Sequence, residues 1–358
     1  MARIKVKPED FKVKEVLKPG FLEGRGYRVY SLWKKGLETE EAIKKIAKIS
    51  GLSHRFIGYG GLKDKNAITV QFISVPERFR LKEVADRNLK VIFAGFSRKK
   101  VSPSAVNGNF FEVHVREFFR YPERVDILEE FGIPGYYGEQ RFTSVRRNSF
   151  FVYYLIRNDF KNALFYLFTP AGWESLRGRK GKKLFVAGRF GESAWFFSGW
   201  RKKVALFLEK SNNFREALSL VPESEIKFQF NVFQSYLFNR YLSELVSKKT
   251  DEKLVFKYKL GELVFPLERI YLPEKVPVFS LEIKELYVSF LNEMGLSLDQ
   301  FSNFSKFFHR FNRETIVSIK DFEIKETAGG VILKFFLPSG HYATNVLRFL
   351  FDAVKKRK

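Results

Sequence analysis

The chain has no cysteine among its 358 residues. Disulfides, cysteine-containing zinc sites and thiol nucleophiles are therefore excluded, and a reduced, cytoplasmic setting is expected. Histidine is scarce as well. His54, His114, His309 and His341 are isolated, with no HxH or HExxH spacing, so no metal site is expected. Long apolar runs are missing too. The stretch "FFVYYLI" near Phe150 is broken at once by "RND", far short of the ~20 apolar residues a spanning helix needs. The N-terminus, "MARIKVKPEDFKVKE", carries charges where a signal peptide has its apolar core. There is no G-x-x-x-x-G-K-[ST] run and no G-x-S-x-G elbow, and "GRGYRV" lacks the third glycine of a dinucleotide fingerprint. Neither a nucleotide cofactor nor a serine hydrolase is indicated.

Negative charge is the remaining deficit. Against 40 Asp plus Glu stand 64 Lys plus Arg, a formal charge of +24. Such a surface attracts phosphate backbones or anionic membranes, and without a leader or spanning segment nucleic acid is the expected partner. With 45% hydrophobic residues the chain can bury a sizeable core, and its length suggests two domains. The 42 phenylalanines are read mostly as core, since Phe has no polar edge.

The hydrophobic pattern divides the chain. Residues 9–35 alternate as extended segments around a glycine turn, and a helix follows with Thr39 as its N-cap, Glu40 and Glu41 in the first turn, and Ile43, Ile46, Ala47 and Ile49 as its apolar stripe. Residues 81–98 read as a short helix and a strand, and 109–117 as a strand. From about Arg146 to about Arg310 the pattern is mostly helical, clearest at 231–246, where Phe233, Leu237, Tyr241 and Leu245 recur at helical spacing. The end returns to strands ("GGVILKFFLPSGHY") and a helix ("ATNVLRFLFDAVKKRK"). Strand-rich ends around a helical middle predict one domain built from both ends with a second inserted in it.

Within "GYGGLKDKNAITVQFISV", Gly58 to Val75, a single carboxylate, Asp64, sits in a glycine-rich turn between lysines. It is either a solvated hairpin tip or the reactive group of an enzyme acting on a polyanion; an aspartate can serve as a covalent nucleophile when a cation holds it. No Asp or Glu is near it in sequence, which disfavours a two-acid metal nuclease. A non-catalytic RNA-binding protein or chaperone fits the composition equally well.

This stretch resembles the signature around the catalytic aspartate of the TruD family of tRNA pseudouridine synthases. Further blocks resemble the family in order: "EDFKVKE", "GRGYRVYSLWKKGLETEEAI", "NGNFFEVHVRE", "GIPGYYGEQRF", "FNVFQSYLFNRYL" and "LPSGHYATNVLRFL". The resemblance implies an α+β fold: a catalytic domain with a mixed, largely antiparallel sheet from residues 1–145 and 311–358, and an inserted, mainly helical TRUD domain at 146–310 that walls a basic RNA cleft. It implies a tRNA substrate modified at uridine 13, no metal and no cofactor, and a monomer is expected. Asp64 would be the nucleophile. Substrate contacts would come from Tyr137, stacking on the target uracil, from Tyr342 as a further aromatic contact, from Phe21, and from Arg348 as the cation paired with Asp64. At Gly135 the family usually has Asn, so that contact is lost, replaced by backbone or supplied elsewhere. Glu139, Gln140 and Arg141 are read as scaffold, and the clusters Arg177–Lys183 and Arg201–Lys203 as phosphate contacts.

Overall fold

A computed structural model describes residues 2–116, 121–146, 148–172, 174–283, 285–351 and 354–356. The chain forms two compact units. The first comprises Met1–Gly135, Leu267–Arg269 and Ile316–Lys358, the second Tyr136–Pro266 and Ile270–Thr315.

A mixed nine-stranded sheet organises the first unit among the described residues. Its strands are β1 (Phe11–Leu17), β2 (Tyr27–Lys35), β3 (Gly58–Tyr59), β4 (Ile68–Pro76), β5 (Val84–Ala85), β6 (Leu89–Ser97), β7 (Val106–Val115), β8 (Lys320–Thr327) and β9 (Gly330–Pro338). The spatial order is β8-β9-β7-β1-β4-β2-β6-β5, with β3 paired to β4. Only β1 and β4 run parallel, with Lys12 opposite Ile68; the other pairs are antiparallel. Both ends of the chain thus enter one sheet, since β9 pairs with β7 over eight residue pairs.

The helix Thr39–Ile49 lies against this sheet because its apolar residues recur every three to four positions. Ala42, Ile43, Ile46 and Ala47 join Tyr30, Leu32, Ile73, Val75 and Val91 in one buried cluster. Each such Ile or Leu contributes roughly 1.5–3 kcal/mol on burial. Ile49, expected in the same stripe, is exposed. No helix forms at 81–88. "RLKEVADR" is helix-like in composition, but the Asp86 N–H donates to the Leu89 carbonyl at 2.8 Å, a turn that folds β5 back onto β6. The C-terminal helix is described over Ala343–Phe351, and Val354–Lys356, expected to be helical, pairs in parallel with Ala2–Ile4.

The second unit is mainly helical, and its longest helix, Glu223–Ser247, extends beyond the predicted 231–246 at its N-terminal end. It also holds an antiparallel hairpin, Lys253–Tyr258 with Gly261–Pro266, which the helical reading did not anticipate. Among the described residues no helix is long and apolar enough to cross a membrane.

Candidate active site

Asp64 lies in the loop between β3 and β4, and the residues around it explain the loop's sequence. The Cβ that Gly60 lacks would fall 2.4 Å from Val106 Cγ2 and 3.1 Å from Glu15 Oε2, so no side chain fits there. Gly61 has φ +143°, a conformation other residues rarely adopt.

Three buried side chains hold the loop from below. The Lys34 ammonium, fully buried on β2, donates to the carbonyls of Leu37 (2.8 Å), Lys63 (3.3 Å) and Asp64 (2.9 Å). Thr39 Oγ1 accepts from the Lys63 N–H at 2.9 Å and donates to Gln71 Oε1 at 3.1 Å. Gln71 Nε2 donates to the Gly61 carbonyl at 3.3 Å. Thr39 is therefore the first helical residue and a clamp on the loop, not a side-chain cap; Glu38 occupies the N-cap position. Burial pushes the Lys34 pKa down to about 8, against the opposing pull of the Asp64 and Glu38 charges.

Adjacent side chains in the loop diverge. Lys63 reaches the buried Glu15 carboxylate on β1 at 2.7 Å and Asn109 Oδ1 on β7 at 2.8 Å. The Asp64 carboxylate points elsewhere. Its Oδ2 forms an ion pair with the Lys5 ammonium, and its Oδ1 accepts from the Asn66 N–H at 3.0 Å. The Asp64 side chain is 28% exposed and that of Lys5 only 6%. A carboxylate so placed is oriented by a shielded cation yet still reachable.

Lys5 is itself firmly set. Its ammonium stands 3.9 Å over the Phe11 ring, and its backbone adopts φ 57°, an uncommon conformation for a residue with a Cβ. Downstream, the buried Asp10 accepts from the Lys7 N–H at 3.0 Å and from Arg116 Nη2 at 3.0 Å, with His114 Nδ1 at 3.5 Å. Burial alone would raise the Asp10 pKa, but the Arg116 hydrogen bond and the Lys7 amide outweigh it and hold the carboxyl below its ordinary value.

Asp64 is thus joined to Lys5, Lys34 and Asn66, three residues not selected from sequence. Phe11, inside the quoted "EDFKVKE", was also passed over. Tyr342 and Arg348 belong to the same unit, both half-buried. Tyr342 precedes the helix Ala343–Phe351 and its carbonyl accepts from the Asn345 N–H at 3.0 Å, while Arg348 sits in that helix's last turn. Gly135 is buried at the end of the first unit's first segment, after Ile133–Pro134, which pairs with Ile316–Val317. Phe21, half-buried, lines a separate cavity on the first unit.

Tyr137 lies in the second unit and is 7% exposed. Arg313 covers its ring at 4.0 Å and Phe238 meets it edge-on at 5.6 Å. Asn239 pairs with its backbone in both directions, at 2.8 and 2.9 Å. The "QSYLFN" residues are scaffold: Gln234 Nε2 donates to the carbonyls of Phe279 and His309, and Ser235 Oγ accepts from Arg141 Nε at 3.3 Å. In the basic clusters, Lys182 is buried and paired with Glu174 at 2.5 Å, which leaves it unsuited to phosphate contact. Among the described residues, no group of three or more His, Asp or Glu is arranged to hold a metal ion.

A family model described as tRNA pseudouridine synthase D (TruD) matches residues 1–269 and 269–350. The tRNA pseudouridine synthase D of Aquifex aeolicus is 31% identical over 98% of this chain and 98% of its own length. A Methanocaldococcus jannaschii protein named "Probable tRNA pseudouridine synthase D 2" is 29% identical over 99% of this chain and 93% of its own. The crystal structure of a chain from Methanosarcina mazei, described in the same terms, shares the fold with a TM-score of 0.66 at 22% identity, covering 98% of this chain and 93% of that one. The chain belongs to the TruD family of tRNA pseudouridine synthases.

Proposed function

We propose that this chain isomerises uridine 13 of tRNA to pseudouridine, with Asp64 as the nucleophile. The observation that carries this reading is the Asp64 loop: one partly exposed carboxylate, ion-paired to a shielded lysine, on a loop that a second, buried lysine grips by its carbonyls. A solvated hairpin tip has no use for such support. The family places its catalytic aspartate in the matching motif.

In the reaction the N1–C1′ bond of the uridine breaks, the detached uracil turns, and C5 bonds to C1′. The C5 proton leaves and N1 takes up a proton, so the product is an isomer and no redox partner is required. Asp64 adds either to C1′ or to the uracil ring and is released when the new carbon–carbon bond is complete. Lys5 orients Oδ2 and offsets the carboxylate charge before attack. The target base must leave its stack to be reached, and an aromatic platform for it is expected. Tyr342, half exposed, is the better candidate for that platform, since the Tyr137 ring is already covered by Arg313 and Phe238 in its own unit. Arg348 and the backbone at Gly135 are proposed as further substrate contacts, and the second unit as an additional RNA-binding surface.

The test is to incubate the protein with unmodified tRNA transcripts in EDTA and map pseudouridine by chemical probing. Conversion confined to position 13 is expected. Tight binding with no pseudouridine across a range of tRNAs would make this chain a binding protein.

A further inference from the structure

The first unit carries a cavity apart from the Asp64 loop. Two connections build it, the one leaving β1 (18–23) and the one leaving β6 (98–105). They are tied together by backbone hydrogen bonds from Lys18 N–H to the Ala105 carbonyl (3.0 Å) and from Arg98 N–H to the Glu23 carbonyl (3.2 Å). Its volume is about 490 Å³, within the range of small-molecule and nucleotide pockets. Asp64, Lys5 and Asn66 do not line it.

The chemistry of its walls is specific. Lys18, Arg98, Lys99 and Lys100 surround it against a single acid, Glu23. All four cations are exposed, and among the described residues none of them is in an ion pair. Phe21, half-buried, supplies an aromatic wall. Two glycines make room for the cations. A Cβ on Gly24 would lie 2.5 Å from Arg98 Cγ, and one on Gly58 would lie 2.5 Å from Lys100 Cγ and 2.7 Å from the Val101 carbonyl oxygen. Gly58 opens β3, the strand that leads into the Asp64 loop, so the cavity wall and the catalytic loop share a support.

We propose that this cavity holds an unstacked nucleotide of the substrate RNA other than the one modified, its base against Phe21 and its flanking phosphates on Lys99, Lys100 and Arg98. Unpaired cations beside an accessible aromatic face are the combination that grips single-stranded nucleic acid, because every base offers a π-face and every residue a phosphate. An anion alone would leave Phe21 unused, and an apolar ligand would leave four cations unneutralised. The site would fix the RNA so that the target uridine reaches Asp64. This inference rests on the proposed RNA substrate.

The experiment compares wild type, Phe21→Ala and the double variant Lys99→Gln/Lys100→Gln on an unmodified tRNA transcript, reading Kd by fluorescence anisotropy from 50 to 200 mM salt and KM for conversion. Phe21→Ala is expected to weaken binding about 5- to 150-fold. The lysine pair is expected to lower the log Kd against log salt slope by about 1.4 and to raise KM. Should Phe21→Ala disturb folding, seen as a lowered melting temperature, the exposed lysine pair still decides. Wild-type Kd, slope and KM in the lysine variant would overturn the proposal while conversion by wild type upholds the RNA reading. A wild type that neither binds nor converts tRNA would overturn both, whereas a free mononucleotide binding the cavity tightly with RNA binding unaffected by either variant would overturn the proposal alone.

Discussion

Lys34→Met removes the ammonium beneath the Asp64 loop at nearly constant volume. The carbonyls of Leu37, Lys63 and Asp64 lose a donor, and each buried carbonyl left without a partner costs about 1–3 kcal/mol. Against this, Lys34 is itself expensive to bury. A pKa lowered from 10.5 to about 8 corresponds to roughly 3 kcal/mol. Losing all three acceptor bonds outweighs the roughly 3 kcal/mol regained by up to about 6 kcal/mol, so the fold is at best unaffected and at worst clearly weakened, and the loop loses its anchor. A 1 Å displacement of a reacting group costs about 100-fold in rate, and a loss of that size is expected in single-turnover conversion, with tRNA affinity little changed. The pH dependence adds a second reading. An ammonium serves three carbonyls; the neutral amine has two N–H groups and a lone pair that repels the third. Wild-type turnover should therefore fall as pH rises through about 8. Stability should move the other way: between pH 8 and 10.5 the unfolded chain binds a proton that the folded one does not, so the Lys34 contribution rises with pH there. The charges facing this group are Asp64, Glu38 and Lys63. A Lys34→Met enzyme with wild-type rate, or a wild-type rate level to pH 9.5, would refute the reasoning.

Lys5→Met should leave tRNA binding near wild type and lower the conversion rate at least tenfold, because the Asp64 carboxylate loses the cation that orients it; single-turnover kinetics measure this. Asp10→Asn should destabilise the fold by about 2 kcal/mol at pH 7 through loss of the Arg116 and Lys7 bonds. Since the folded-state pKa of Asp10 is depressed, its contribution is present above the unfolded value and lost as pH falls through the folded one, so urea melts of wild type and variant should converge in strong acid. Asn239→Ala should cost the second unit about 1–3 kcal/mol by removing both of its hydrogen bonds to the Tyr137 backbone; a variant melting at the wild-type temperature would contradict that role.

Asp64 was singled out by the resemblance of its whole stretch to the family signature, since a turn with flanking glycines and an alternating strand fits a solvated hairpin tip as well. Its partners were not, because the sheet brings them there. Lys5 is 59 positions away and meets Asp64 only after β1 has paired in parallel with β4. Lys34 and Lys35 are indistinguishable in the sequence, yet strand alternation buries the first under the loop and sends the second to Glu9 at the surface. Thr39 has the chemistry of a cap, and only the position of Lys63 turns it into a clamp. Helix and strand patterns were read well where apolar residues were periodic, as at Thr39–Ile49 and Glu223–Ser247. They failed at 81–88, where a tight turn overrode helix-like composition, and at the hairpin Lys253–Pro266 inside a helical context.

The central claim is that Asp64 performs the chemistry and does not merely close a turn. Asp64→Asn keeps the size of the side chain and an oxygen that can accept from Asn66, but cannot act as a carboxylate nucleophile. Measured side by side with wild type on one unmodified tRNA, the variant is expected to bind with a similar Kd and to form no pseudouridine under single-turnover conditions. Pseudouridine formed by Asp64→Asn at a rate near wild type would contradict the account.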